Sequence, residues 1–263
     1  MTEKKITHVV EQFLLDAPPG EYEQCSYDLS ILTNKNSLKA ARASTHEKWL
    51  HKFCYGVNIN GNIAILCDEA KVSDGVYLNP NDYTLFKFNY DDLKATPISD
   101  KPKESSSSQR NEMQKQLQKY AKTAYKSQVG IGVYEQSKGN FTIVIRSSSI
   151  SLNNYRTGGI VSRYTLDKSG KLKGEINIVQ HFFESGNVMC NTGATLSHDI
   201  HHNDIKELIA TIEKFEAEWL KAYYDALEKM YSEGMNKLRR KLPYSGTKIN
   251  WEAELCGIAG MSQ

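Results

Sequence analysis

Apolar residues in the first fifty positions recur at three- and four-residue spacing. Ile6, Val9, Val10, Phe13 and Leu14 place one stripe on a helix that Ala17-Pro18-Pro19-Gly20 stops. Tyr22, Cys25, Leu29 and Leu32 mark a second short helix over Glu21 to Leu32, which Asn34-Lys35-Asn36 breaks. Leu38, Ala41, Trp49, Leu50 and Phe53 fall on a third, from Ser37 to Phe53. Residues 1–54 therefore read as a small three-helix stalk. From Tyr55 the period drops to two. Val57 to Ile65 alternates around Asn60-Gly61, a dipeptide suited to the positive φ of a tight hairpin turn. Further strands are predicted at Tyr83–Phe88, Val129–Tyr134, Phe141–Ile145, Ile160–Tyr164, Lys171–Phe183 and Asn187–Cys190, with Ser185-Gly186 as the turn between the last two. Strands follow strands without intervening helices, so residues 55–202 read as an antiparallel sheet region rather than as βαβ units.

Two segments interrupt or end this pattern. Lys101 to Ser108 is a polar low-complexity stretch, so a solvated insert is expected near residues 101–110; a modified serine loop is the alternative. After it, Met113, Leu117, Tyr120 and Tyr125 predict a helix near Asn111 to Ser127. Ile205, Leu208, Ile209, Ile212, Phe215, Trp219, Tyr223, Leu227 and Met230 then repeat at three and four with charges between. A helix over about residues 203–242 would be ~55 Å long at 1.5 Å per residue. That exceeds the width of a small domain, so the helix is expected to lie across a sheet that continues into a second subunit. A break near Gly234 is the competing reading, since glycine costs about 1 kcal/mol in a helix interior. Residues 243–263 are expected to form a basic loop and a short mobile amphipathic tail. The fold class is α+β, one composite domain.

Composition narrows the function classes. The 263 residues are 40% hydrophobic and 24% charged, with 33 Lys+Arg against 31 Asp+Glu. A net charge of +2 argues against a nucleic-acid coat, which needs a large basic excess. No apolar run approaches the roughly 20 residues needed to span a bilayer, and no signal-peptide pattern opens the chain, so a membrane-spanning or secreted protein is not expected. Five scattered cysteines, Cys25, Cys54, Cys67, Cys190 and Cys256, without a Cys-x-x-Cys pair, imply reduced thiols.

No catalytic or cofactor motif is present. Arg156-Thr157-Gly158-Gly159 lacks the Lys-Ser/Thr ending of a phosphate loop, and neither Gly-x-Gly-x-x-Gly after a strand nor Gly-x-Ser-x-Gly occurs. The cluster His198-Asp199-Ile200-His201-His202 with Asp204 has two readings. It is a polar turn in which Asn203 or Asp204 caps the long helix, or it is the metal site of a metal-dependent hydrolase, for which a further ligand is not identifiable. The C-terminal region is more distinctive. Lys237, Arg239, Arg240, Lys241 and Lys248 fall between Gly234 and Trp251 with no acid among them. Cations at a helix C-terminus complement its dipole, which accounts for one or two. The others read as a docking surface for an acidic partner, with plain solubility as the alternative. Removing these five from the 33 basic residues leaves 28 against 31 acids, so a mildly acidic body carries a concentrated basic patch. Trp251, Leu255, Ile258 and Met261 then recur at four, three and three, a tail suited to folding when its apolar face meets a groove, or to packing on its own domain.

Arg239-Arg240-Lys241-Leu242-Pro243 followed by Thr247-Lys248-Ile249-Asn250-Trp251 resembles the signature near the C-terminus of the alpha subunit of actin filament capping protein. Three further stretches agree in order: Phe13 with Ala17-Pro18-Pro19-Gly20-Glu21, Leu78-Asn79-Pro80 with Leu85-Phe86-Lys87-Phe88, and Val179 to Val188. The resemblance implies a mushroom-shaped obligate dimer, with a beta subunit or a second copy, that binds filament barbed ends without catalysis, cofactor or metal. It implies that Arg240 and Lys248 are basic residues used against actin and that Trp251 roots the tail. Lys237, Arg239, Lys241, Leu255 and Ile258 complete the expected actin-binding set, and acidic phosphoinositides are a second expected ligand of the patch. A capping-like scaffold subunit with weak actin affinity is the alternative. The family resemblance places the protein in the cytoplasm on the cytoskeleton. Gly246 stands where the family carries an arginine, Glu252 and Glu254 acidify the tail, and Tyr155 to Ile160 replaces a tryptophan-rich family segment.

Overall fold

The computed structural model describes residues 3–98, 106–125, 128–184, 187–201 and 204–235. Three helices open the chain: α1 (Glu3–Asp16), α2 (Tyr22–Leu32) and α3 (Lys35–Lys52). The α2–α3 break is tighter than the Asn-Lys-Asn stretch suggests. Asn34 is the N-cap of α3, its side-chain oxygen accepting from the Ser37 amide at 2.8 Å, so Lys35 already belongs to the helix. Leu14, Ala41, Trp49 and Leu50 are buried where α1 and α3 meet. They join Ile65, Phe86, Phe88, Tyr134 and Val144 in one core between the helices and the sheets.

The hairpin of β1 (Gly56–Ile59) and β2 (Asn62–Ile65) turns at Asn60 and Gly61, both at positive φ, as the dipeptide predicts. A four-stranded sheet follows, in the order β3 (Lys71–Ser73), β4 (Val76–Asn79), β5 (Thr84–Asn89) and β6 (Lys94–Ile98). Alternation in the sequence reveals β5 only. β3 has three exposed residues and β6 contains Pro97, so neither carries the apolar period of a half-buried strand.

Helix α4 (Ser108–Ala124), N-capped by the Ser107 side chain, precedes a five-stranded antiparallel meander. Its strands are β7 (Gln128–Ser137), β8 (Asn140–Ser151), β9 (Arg156–Leu166), β10 (Lys171–Phe182) and β11 (Val188–Asp199), hydrogen-bonded in that order. β11 extends nine residues beyond the expected Cys190, through Asn191-Thr192-Gly193-Ala194-Thr195. Small and polar residues there give no hydrophobic period, and pairing with β10 supplies the order instead. Helix α5 (Ile205–Lys229) is about 37 Å long at 1.5 Å per residue and passes into a π-helical turn, Met230–Met235, that contains Gly234. The chain divides into two compact units at Glu213/Lys214. In the first, Leu208 and Ile212 of α5 are buried; in the second, the Trp219 and Tyr223 rings stack at 5.8 Å. Among the described residues no helix is long and apolar enough to cross a membrane.

One buried histidine gives the helical layer a pH response. His46 of α3 stacks on Tyr22 with ring centroids 4.5 Å apart and planes 5° from parallel. Burial pushes its pKa below the ordinary value, outweighing the pull of Glu23 at 3.8 Å. The folded state therefore takes up this proton less readily than the unfolded chain. The stabilisation is complete above about pH 6.5 and is lost as pH falls through the lower folded pKa. The urea midpoint is expected to decline between about pH 7 and pH 5 and to decline less in His46→Gln. Equal slopes for the two proteins would exclude His46 as the source.

Candidate functional site

Every residue of the expected actin-binding set, Lys237, Arg239, Arg240, Lys241, Lys248, Trp251, Leu255 and Ile258, lies outside the described residues, and so does the tail. The structure locates the frame that precedes them and the other stretches that carry the resemblance.

Two of those stretches meet although about 160 residues of chain separate them. Gly20, at φ +85°, turns the chain after Pro18-Pro19 so that the Glu21 side chain reaches the meander. Glu21 Oε1 lies 2.7 Å from His181 Nδ1 on β10 and also accepts from the Thr157 hydroxyl on β9. The other ring nitrogen of His181 faces Asn187 Oδ1 at 2.8 Å, just before β11. His181 is 8% exposed, so the α1–α2 turn and the β10–β11 end are tied by one buried polar chain. The Trp49 indole nitrogen donates to the Ala17 carbonyl at 2.7 Å and fixes the same turn from α3. In the third stretch, Leu78 of β4 stands opposite Leu85 of β5, and the Pro80 carbonyl accepts from the Arg110 guanidinium.

That guanidinium marks how the two edges of the meander differ. Arg110 and Gln114 of α4 are buried, and both bond the backbone of β7 on its outer side. Arg110 Nε donates to the Val133 carbonyl at 2.8 Å, Gln114 Nε2 donates to the Ile131 carbonyl at 3.0 Å, and the Val133 amide donates to Gln114 Oε1 at 2.9 Å. α4 thus occupies pairing groups in the middle of that edge and obstructs strand addition there. β11 is the other edge, and among the described residues it pairs with β10 only. Val188 and Met189 at its start are 62% and 48% exposed. The sequence reveals neither edge. Arg110 and Gln114 are two polar residues of an otherwise ordinary helix, and their role exists only beside β7.

A second polar network anchors α3 to the four-stranded sheet. Glu47 Oε1 accepts from Tyr77 at 3.0 Å, from Tyr90 at 2.8 Å and from Lys71 at 2.5 Å. His51 lies between Asp68 at 2.6 Å and Tyr77 at 2.7 Å. Burial pushes the Glu47 carboxyl up, but the three donors hold it below its ordinary value. Burial pushes the Tyr90 and Tyr77 phenols well above theirs. These groups keep their protons placed for hydrogen bonding and act as an anchor.

The histidine cluster takes the form of a helix cap. His198 lies on β11 opposite Leu172, His201 lies in the turn, and His202 is outside the described residues. The Asp204 carboxylate accepts from the Lys206 and Glu207 amides at 2.9 and 3.1 Å. Glu207 reaches back to the His201 amide at 2.9 Å and to its ring at 2.8 Å, and these bonds hold its carboxyl below its ordinary pKa. Asp204 thus caps the helix, while the Asp204 amide donates to the His201 carbonyl at 3.0 Å and Glu207 holds His201 instead of closing a capping box. The reading with Asp204 as N-cap is the one the geometry carries.

These elements define an α+β protein built on an antiparallel meander, with one edge closed by its own helix and the other open. Comparison with known proteins is specific: the family model described as F-actin capping protein alpha subunit matches residues 10–258, and the chain belongs to that family. The F-actin-capping protein subunit alpha of Yarrowia lipolytica is 28% identical over 91% of this chain and 88% of its own length. That of Saccharomyces cerevisiae is 27% identical over 95% and 94%, and that of Eremothecium gossypii 29% over 94% and 93%. Among solved structures, the homodimeric actin capping protein alpha subunit from Plasmodium berghei superposes with a TM-score of 0.69 at 21% identity, covering 92% of this chain and 97% of that one. That likeness establishes the fold.

Proposed function

We propose that the chain is the alpha-type subunit of a dimeric protein that binds the barbed ends of actin filaments and blocks subunit gain and loss there. The observation that carries this reading is the extent of the family match, residues 10–258, which spans the acid-free basic run and the root of the tail as well as the fold. The open β11 edge supports assembly: a second five-stranded sheet pairing along it would make one continuous sheet without disturbing α4. The partner is a beta subunit or another copy of the chain, and light scattering on the chain expressed alone distinguishes them.

Lys237, Arg239, Arg240, Lys241 and Lys248 dock on acidic surfaces of the terminal actin protomers, and the same charges attract acidic phosphoinositides. Charge attraction speeds the encounter, and burial of Trp251, Leu255 and Ile258 against actin slows release. Such a protein works by occupying an end, without catalysis, in the cytoplasm on the cytoskeleton. The test is elongation of pyrene-labelled actin from seeds. The purified dimer is expected to stop barbed-end growth, and unchanged growth at micromolar dimer would overturn the proposal.

A further inference from the structure

Between the helical layer and the underside of the meander lies a cavity of about 240 Å³ whose charged lining residues are all basic. Its floor consists of alternate residues on neighbouring strands. Arg146 and Ser148 of β8 stand opposite Val161 and Gly159 of β9, and Val161 and Gly159 stand opposite Asn177 and Val179 of β10. Its roof is the Pro19-Gly20 turn and the C-terminal end of α3 with Phe53 and Tyr55. A Cβ on Gly20, whose φ is +85°, would come 2.8 Å from the end of the Ile150 side chain and oblige it to shift.

The three cations of the lining differ in what satisfies them. Lys52 donates to the Leu15 carbonyl at 2.9 Å, and Arg163 has Glu69 at 3.6 Å and the Cys54 sulfur at 3.2 Å. Arg146 has no carboxylate partner among the described residues. It is 7% exposed, its Nη2 donates to the neutral Ser148 hydroxyl at 2.7 Å, and its Nε is buried without a partner. Its stem passes Gly130 and its Nη1 lies against Gly56; a Cβ at either glycine would crowd it, so the backbone is shaped to admit the guanidinium. Burial pushes its pKa down, outweighing the opposing pull of Cys54 and Tyr55. A buried, uncompensated charge is strongly unfavourable, and a guanidinium fork is suited to an oxyanion with two coplanar acceptors.

We propose that this cavity is an anion-binding site in which Arg146, with the Ser148 hydroxyl, holds a phosphate or carboxylate group borne on a flat apolar body seated against Phe53, Tyr55 and Val161. The site is on the underside of the meander, and its ligand stabilises the seam between the helical layer and the sheet. It rests on the geometry of residues 19–191 and is independent of the capping proposal.

The test is thermal unfolding of the purified full-length protein, as the dimer it forms, titrated with inorganic phosphate and with phenyl phosphate at constant ionic strength. Both are expected to raise the midpoint, in step with the logarithm of ligand concentration once it exceeds Kd. Phenyl phosphate should act at about tenfold lower concentration or less because its ring is removed from water. Arg146→Met should weaken the response by about tenfold or more, as loss of a charge-assisted bond requires, whereas Lys48→Met on the exposed face of α3 should leave it unchanged. Ser148→Asp supplies a built-in carboxylate beside the guanidinium, so it is expected to raise the midpoint without ligand and to abolish the response. This second variant keeps the test decisive if Arg146→Met does not fold. A rise no greater in the wild type than in Ser148→Asp, or equal potency of the two phosphates, would overturn the proposal.

Discussion

Trp49→Ala is expected to lower the unfolding free energy by about 3–5 kcal/mol, the largest effect of any single substitution in the helical layer. Trp49 is 3% exposed and its ring packs against Tyr22 at 5.1 Å and Phe53 at 5.2 Å. Truncation leaves a cavity that three helices cannot close, because each is held by its own cap or turn. It also strips the Ala17 carbonyl of its indole donor, and an unsatisfied buried acceptor costs about 1–3 kcal/mol within that total. The loss propagates. Ala17 lies in the turn that aims Glu21 at His181, so the bond between the helical layer and the meander weakens with it. Urea denaturation at fixed protein concentration reads the result. Trp49→Phe, which keeps most of the volume and loses the donor, should recover more than half of the loss. A change below about 1 kcal/mol in Trp49→Ala would show that the turn is held without the indole.

Reversing two charges is the largest expected functional effect. Arg240→Glu with Lys248→Glu is expected to raise the dimer concentration needed for half-maximal inhibition of barbed-end growth by about tenfold or more at low salt. Each substitution both removes an attraction to an acidic filament end and adds a repulsion. Screening shortens the reach of both, with a Debye length of about 8 Å at physiological ionic strength, so the difference between wild type and variant should shrink as salt rises. Seeded pyrene-actin elongation over a salt series measures it. On the proposed mechanism association should slow more than dissociation quickens, with the charges acting on the encounter and the apolar tail on release. Equal capping by the double variant would remove the basic patch from the mechanism.

What could be read from the chain and what could not follows the range of the interactions involved. The stripe of Ile6, Val10 and Leu14, the Asn60-Gly61 turn and the long amphipathic run from Ile205 are local signals. α1 and the β1–β2 hairpin stand where those signals place them, whereas α5 starts at Ile205 as expected but ends at Lys229 in a π-helical turn to Met235, with residues 236–242 of the expected helix outside the described residues. β3, β6 and the outer half of β11 carry no such signal. They are ordered by pairing with the adjoining strand, as Lys94 to Ile98 is by β5, and a pattern of hydrophobicity cannot report a neighbour's hydrogen bonds. The expected site is a different case. Its residues were legible as an acid-free basic run followed by an apolar tail, because charge density is a property of sequence alone.

The sequence by itself determined the class of fold and the family, since these depend on periodicity and motif. The tertiary structure decided the consequences of juxtaposition. Arg110 and Gln114 became the lock on one sheet edge, which leaves β11 as the open one. Glu21 and His181 became a joint between layers. Arg146, one basic residue among 33 in the composition, became a buried cation without a counterion among the described residues. A charge has the same formula wherever it lies in the sequence, but its energy is set by the water and the partners that folding leaves around it.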